Sequence, residues 1–333
     1  MTVEEEMPMS DEQAVPLQGQ VPVSVPLLRW LHLTDLHVGK NDESQETALA
    51  SLIDAIAREC GDTVFDLVML TGDLAYSGSL LEYERLETLV INPLRSLKNF
   101  RDAKFVATPG NHDLDCDVGY PVNWAHIGPK RQTTFFNLDE LGRKTRAPRA
   151  AAFSSYSKFL QNNAILGVDP TLEPARIQRI EVRGNEIGLL TAVTAFFSDK
   201  DVTDEQISQA PVHPIRTLLG ANKELCQTIV LGHHPLTWFS SESEKHLYSL
   251  LLESNVLYIN GHEHRITARF GNRGLAAMGF GATYQKPLEA PGKTIYRNSF
   301  AICEVNNSFH VKVVSWESEH GIWRLDVNLP PEF

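Results

Sequence analysis

Asn111, His112 and Asp113 stand side by side just beyond the apolar stretch AKFVA, with only Thr108, Pro109 and Gly110 between. An amide oxygen, an imidazole and a carboxylate in a row form either a polar turn or part of a site that holds a metal and moves a proton. Alone, the trio decides nothing. Four further groups of the same kind tip the balance: Asp35 and His37 in TDLH, Asp73 in TGD, His233 and His234 in GHHP, and His262 and His264 in GHEH. Each closes an apolar run. Together they offer carboxylates, one amide oxygen and several imidazoles, with no thiolate. That set suits a divalent Mn, Fe, Zn or Ni ion rather than a structural thiolate zinc site. It is too large for one ion. Two divalent ions about 3.5–4 Å apart, sharing one carboxylate, would use all of it.

For these groups to meet, the apolar runs must be strands that end on the same side. LLRWLHLT, FDLVMLTGD and KFVATPGNHD alternate with the helical patterns SQETALASLIDAIAREC, stopped by Gly61, and SLLEYERLETLVINPLRSL. Strands and helices alternating at this spacing make βαβ units and a mainly parallel sheet, whose ligand crevice lies at the carboxyl ends of the strands. On an extended segment, residues i and i+2 share a face, so Asp35 and His37 can share an ion. The glycines before Asp73, Asn111, His233 and His262 let the backbone turn tightly beneath the metals. Residues 114 to about 175 hold no clear strand. KRQTTFFNLDELGRK and AAFSSYSKFLQNNAI read as helices of an insertion that could act as a lid. RIQRIEVRGNEIGLLTAVTAF reads as a hairpin turning at Gly184-Asn185. CQTIVLGHHP and NVLYINGHEH are two more strands with polar ends, separated by the helix SEKHLYSLLLE. The tail from Ile266 to Asn328 reads as short strands of an antiparallel sheet.

The chain has 333 residues and a net charge of −12. An acidic total argues against a protein that grips many nucleic-acid phosphates. Four cysteines without a CxxC pair favour reduced thiols, and no run resembles a signal peptide or a membrane span. The expectation is a cytoplasmic protein with a flexible acidic leader over 1–26 and one domain over 27–330. His32, His126, His213, His246, His310 and His320 lie outside the ligand groups and are expected on the surface or in the core. Asp115 and Asp117 are expected in a solvated loop.

The ordered set DxH, GD, GNH(D), GHxP and GHxH, from Asp35 to His264, resembles the calcineurin-like metallophosphoesterase superfamily. The opening LHLTDLHVGK with TGDLAYSG and EYERL is similar to its bacterial cyclic-nucleotide-phosphodiesterase-like branch. The resemblance implies a four-layer αββα sandwich with mixed sheets. It implies that Asp35, His37 and His264 bind one metal, that Asp73 bridges, and that Asn111, His233 and His262 bind the second. It makes His112 the group facing the phosphate and Asp113 the group orienting it, with His234 standing behind the ligands. The activity implied is metal-dependent hydrolysis of phosphate esters. A hydroxide held between the ions would attack phosphorus in line while His112 assists the leaving oxygen. A small phosphodiester, nucleotides above all, is the expected substrate. A phosphomonoester, or DNA cut by a nuclease of the double-strand-break repair type, is the alternative. A metal-loaded scaffold is disfavoured because every ligand position is filled. GDLAYSG in place of GDxxDRG puts phosphoserine specificity in doubt.

Overall fold

A computed structural model describes residues 28–39, 43–115, 117–118, 134–198, 209–272, 274–284, 298–305, 309–317 and 320–326. The leader, part of the 114–175 segment and the last residues lie outside the described ones.

Alternation along the strands builds the layers. In β1 (Leu28–Leu33), Leu28 and Trp30 face one way, Leu31 and Leu33 the other. In β2 (Leu67–Thr71), Leu67 and Met69 oppose Val68 and Leu70 in the same manner. The first set packs against Ile187 and Leu189 of β6 (Asn185–Ala192) and Ile229 and Leu231 of β7 (Gln227–Leu231), forming a core between two sheets. The second set packs under helices. Leu49, Leu52 and Ile56 of α1 (Glu43–Cys60) recur at helical spacing, and Tyr83 and Leu86 come from α2 (Leu80–Leu86). On the far side, Leu190 and Val230 meet Ile215 of α6 (Val212–Gly220) and Leu247, Leu250 and Leu251 of α7 (Ser241–Ser254). The result is helix, sheet, sheet, helix, the expected αββα sandwich.

The first sheet has the order β13 (Ile322–Leu325), β12 (Phe309–Glu317), β11 (Ser299–Val305), β1, β2, β3 (Lys104–Thr108), β4 (Leu166–Gly167), and the second the order β5 (Ala175–Val182), β6, β7, β8 (Leu257–Asn260), β10 (Gly274–Gly279), β9 (Thr267–Gly271). β1, β2 and β3 run parallel, as do β6, β7 and β8. Their carboxyl ends therefore gather along one edge of each sheet. β5 and β6 form the expected hairpin, but its two loop residues are Arg183 and Gly184, at φ 52° and 78°. Asn185 already pairs with Val182. Two consecutive left-handed residues match the right-handed twist of the strands.

The tail does not form one antiparallel sheet. β9 and β10 join the second sheet, β10 lying parallel to β8. β11 pairs antiparallel with β1, and β12 and β13 continue the first sheet, each antiparallel to the strand before it. The helix after β2 contains one wide turn, Glu87–Ile91, before α3 (Asn92–Ser96), whose Pro93 lacks an N–H for an ordinary turn.

Within 114–175, only the last residues of the helix expected over KRQTTFFNLDELGRK belong to α4 (Glu140–Ala150), which Asp139 caps and which runs on past that stretch; residues 130–133 lie outside the described ones. α5 (Ser154–Asn162) is helical as expected, and the two-residue strand β4 adds to the edge of β3. Phe135, Phe136, Phe153, Tyr156 and Phe159 are buried in the outer core of the first sheet. This described part is thus a packed piece of the domain. No helix among the described residues is long and apolar enough to cross a membrane.

Candidate metal centre

The five polar ends converge at the carboxyl edges of both sheets. Asp35 and His37 follow β1, Asp73 follows β2, Asn111 and His112 follow β3, His233 follows β7, and His262 and His264 follow β8. The ends are tied to one another. Asp35 N–H donates to the Gly72 carbonyl at 3.0 Å, His37 N–H to that of Asp73 at 2.9 Å, and Gly261 N–H to that of His233 at 3.0 Å.

The segments are not extended where the candidate ligands sit. Asp35, His37, Asp73, His262 and His264 have φ of 52°, 45°, 52°, 72° and 54°. The i, i+2 strand argument therefore gives way: Asp35 and His37 converge because the backbone coils left-handed, at a cost of about 1–2 kcal/mol for each residue. Three other non-glycine residues among those described share this conformation. Such strain gathers where the surrounding structure imposes it. Of the glycines preceding ligands, Gly72 has φ 86°. Gly110 has a different reason: a Cβ there would lie 2.2 Å from Asp73 Oδ1 and 2.5 Å from Asp73 N.

Asp73 stands at the middle. Its Oδ1 accepts the His112 backbone N–H at 2.8 Å. Its Oδ2 lies 3.4 Å from His37 Nε2 and 3.3 Å from His233 Nε2. On one side, His264 Nε2 is 3.2 Å from Asp35 Oδ1, and Asp35 Oδ2 accepts the Thr34 hydroxyl at 2.6 Å and the His262 N–H at 3.1 Å. On the other, His233 Nε2 lies 3.2 Å from Asn111 Oδ1 and 3.1 Å from His262 Nδ1.

These contacts test whether the residues fit a metal. His37 Nδ1 faces the Tyr284 carbonyl at 3.2 Å and His233 Nδ1 the Thr71 carbonyl at 2.8 Å. A carbonyl only accepts, so both hydrogens sit on Nδ1 and both Nε2 atoms turn lone pairs toward Asp73. Acceptors this close need a cation or a proton between them. Neighbouring ligands about 2.1 Å from one ion are roughly 3.0 Å apart in octahedral and 3.4 Å in tetrahedral geometry, so the donor sets fit. Protons can stand in for cations. Burial works against the charge of His233, yet Asp73 raises its pKa to about 9. His37 is raised in the same way against its own burial. Burial would raise the carboxyls, but the imidazoles of His264 for Asp35, and of His233 and His112 for Asp73, hold both below the usual range. Burial brings His262 down to about 3, so that ring is neutral.

His112 is only half-buried. Its Nδ1 lies 2.8 Å from the Tyr76 carbonyl, and its ring meets His37 edge-on at 4.8 Å. The expectation that Asp113 orients it needs correcting. The buried Asp113 carboxylate accepts from Gly110 N at 2.8 Å, Ala75 N at 3.0 Å, Leu74 N at 3.1 Å and Tyr83 Oη at 2.7 Å. It ties the loops after β2 and β3 together, and the Tyr76 carbonyl holds the imidazole. His234 lies behind His233, fully buried, and stacks on Trp238 at 5.7 Å. His32 is buried, its Nε2 2.9 Å from Thr71 Oγ1. Thr34, Tyr76, Tyr83 and Trp238 went unread in the sequence. Thr34, Tyr76 and Tyr83 lie inside quoted motifs, which is the one signal that could have found them.

A family profile for the calcineurin-like phosphoesterases matches residues 28–265, a span that takes in all five strand ends, and the chain belongs to that family. Among its relatives is a Bacillus subtilis (strain 168) protein described as the uncharacterized metallophosphoesterase-like protein YydB. It is 23% identical over 310 residues, which cover 89% of this chain and 61% of the relative. The chain thus spans about three-fifths of that protein's length. Among solved structures, GAP50, the anchor in the inner membrane complex of Plasmodium, superposes with a TM-score of 0.51 at 15% identity, over 92% of this chain and 91% of that one. At this identity the likeness shows the fold alone.

Proposed function

We propose that the chain is a hydrolase of phosphate esters that works with two divalent ions and prefers small phosphodiesters, nucleotides among them. One observation carries the reading: a single oxygen, Asp73 Oδ2, is shared between two donor sets, 3.4 Å from His37 and 3.3 Å from His233. Asp35, His37 and His264 would hold one ion, Asn111, His233 and His262 the other. A bound pair supplies Lewis acidity toward phosphoryl oxygens and a water nucleophile at neutral pH. The chain's own residues do the rest. The His112 N–H fixes the outer oxygen of Asp73, leaving Oδ2 to the centre. Because the Tyr76 carbonyl takes Nδ1–H, the proton given to a leaving oxygen must come from His112 Nε2. Tyr76 stacks on His112 at 5.4 Å and Trp238 meets His262 at 4.2 Å. Aromatic rings on both sides of the centre favour a substrate with a flat apolar part, such as a nucleobase.

The test is hydrolysis of bis(p-nitrophenyl) phosphate and p-nitrophenyl phosphate with Mn²⁺, for the wild type and His112→Ala, with metal content measured alongside. The expected result is diester turnover that falls about 10²- to 10⁴-fold in the variant while two ions remain bound. Monoester turnover alone would favour a phosphatase. No turnover of either ester with two ions bound would sink the hydrolase reading.

A further inference from the structure

The loop after β6 carries none of the ligand motifs, yet one of its side chains holds two histidines of another loop. Thr194 is 3% exposed. Its Oγ1 lies 3.2 Å from the His233 backbone N, 3.2 Å from the His234 backbone N and 3.0 Å from His234 Nδ1. A hydroxyl has two lone pairs and one proton. The two backbone N–H groups can only donate, so they occupy both lone pairs, and the proton goes to His234 Nδ1. That nitrogen is then an acceptor, and the neutral ring carries its hydrogen on Nε2. Nε2 is buried without a hydrogen-bond partner. His234 also belongs with His233 and His262 to a group whose ligand atoms lie within 4.8 Å of one another. With a lone pair on Nε2 it would be a ready extra ligand.

We propose that Thr194 is a positioning residue for the second ion: its hydroxyl fixes the backbone of the GHH turn and locks His234 as the Nε2–H tautomer, so that of two adjacent histidines only His233 can ligate. This rests on the two-ion reading above. The neighbours are held as opposite tautomers, because the Thr71 carbonyl takes Nδ1–H of His233. Thr194 is itself held in place. Arg149 of α4 donates from Nε to the Phe196 carbonyl at 2.9 Å and from a terminal nitrogen to the Ser198 carbonyl. Phe135 and Phe153 pack on Phe196 at 5.0 and 5.6 Å. The second metal's ligand turn is thus braced by the segment inserted between β3 and β5.

Two measurements test it. Long-range ¹H–¹⁵N correlation on metal-free protein, assigned with His234→Gln, should place the His234 hydrogen on Nε2; a hydrogen on Nδ1 would overturn the proposal. Equilibrium dialysis with Mn²⁺ should show Thr194→Val weakening one of the two ions on the order of 10- to 100-fold, while Thr194→Ser keeps both. Thr194→Val binding both ions as tightly as wild type, or Thr194→Ser losing one, would also overturn it. If Thr194→Val does not fold, the tautomer and the serine variant still decide. Wild type that takes fewer than two ions would instead refute the two-ion reading, and that failure appears without any variant.

Discussion

Tyr83→Phe separates two roles for Asp113. The Tyr83 hydroxyl is buried and donates to Asp113 Oδ1 at 2.7 Å. Burial and the nearby Asp113 charge push its pKa well up, so it stays a neutral donor. The variant removes that one donor and leaves the ring, which stacks on Phe159 at 5.1 Å. A hydrogen bond to a buried carboxylate contributes about 1.5–3 kcal/mol. With an unfolding entropy of about 2.1 cal/mol/K per residue, roughly 0.7 kcal/mol/K for a chain of this length, Tm should drop about 2–4 °C. Asp113→Asn should cost more, because its NH₂ must face either Gly110 N–H or the three donors on Oδ1. The double variant should lose less than the sum, by about 1.5–3 kcal/mol, since both changes remove the same bond. Melts and urea titrations of chelator-treated protein measure this without the metals. If Tyr83→Phe shifts stability by less than about 0.5 kcal/mol and the two changes add, the brace is wrong. Turnover lost in Asp113→Asn at full stability would return the carboxylate to orienting His112.

Three further outcomes are expected. Gly110→Ala places a methyl against the Asp73 carboxylate and backbone, so it should unfold more easily and bind fewer ions per chain by elemental analysis; unchanged stoichiometry would contradict the close approach. Stripping the ions with a chelator should lower Tm, because a ligand at 100 times its Kd stabilises by about 2.7 kcal/mol, and adding Mn²⁺ back should restore it. In the stripped protein, His37 and His233 have raised pKa values, so their contribution is full below the unfolded imidazole value near 6.5 and is lost as pH rises through the folded values, which for His233 is about 9. Melts of chelated protein from pH 6 to pH 10 should fall across that window while Mn²⁺ affinity rises; a flat profile would show that protons do not replace the ions.

The site was legible for a local reason. Each candidate ligand group closes an apolar strand, and in four of the five a glycine before the polar residues leaves a mark in the sequence. What escaped depends on distant partners. Thr194 carries no motif, and its importance comes from amides 39 and 40 residues away. Asp113 is adjacent to His112 in the chain but turns to Leu74, Ala75 and Tyr83. The left-handed backbone of the ligands is imposed by loops pressing on one another, and Asp and His have only a mild taste for it. The tail's alternating strands showed their type but not their sheet, because β10 finds β8 and β11 finds β1 through pairings that only the closed sandwich supplies.

The DLH turn hangs from late-arriving chain. The Thr34 and Asp35 carbonyls accept from Thr283 and Tyr284, the Tyr284 carbonyl holds His37, and the free flank of β1 is closed by β11. At about 5–20 residues per second, a ribosome delivers Tyr284 roughly 10–50 s after Asp35. For most of that interval Asp35, His37 and Asp73 are present but lack the wall that shapes them. A chain stalled before β11 would carry all seven candidate ligands, and Tyr284 with them, yet lack the strand that closes the flank of β1 and holds the DLH turn in place.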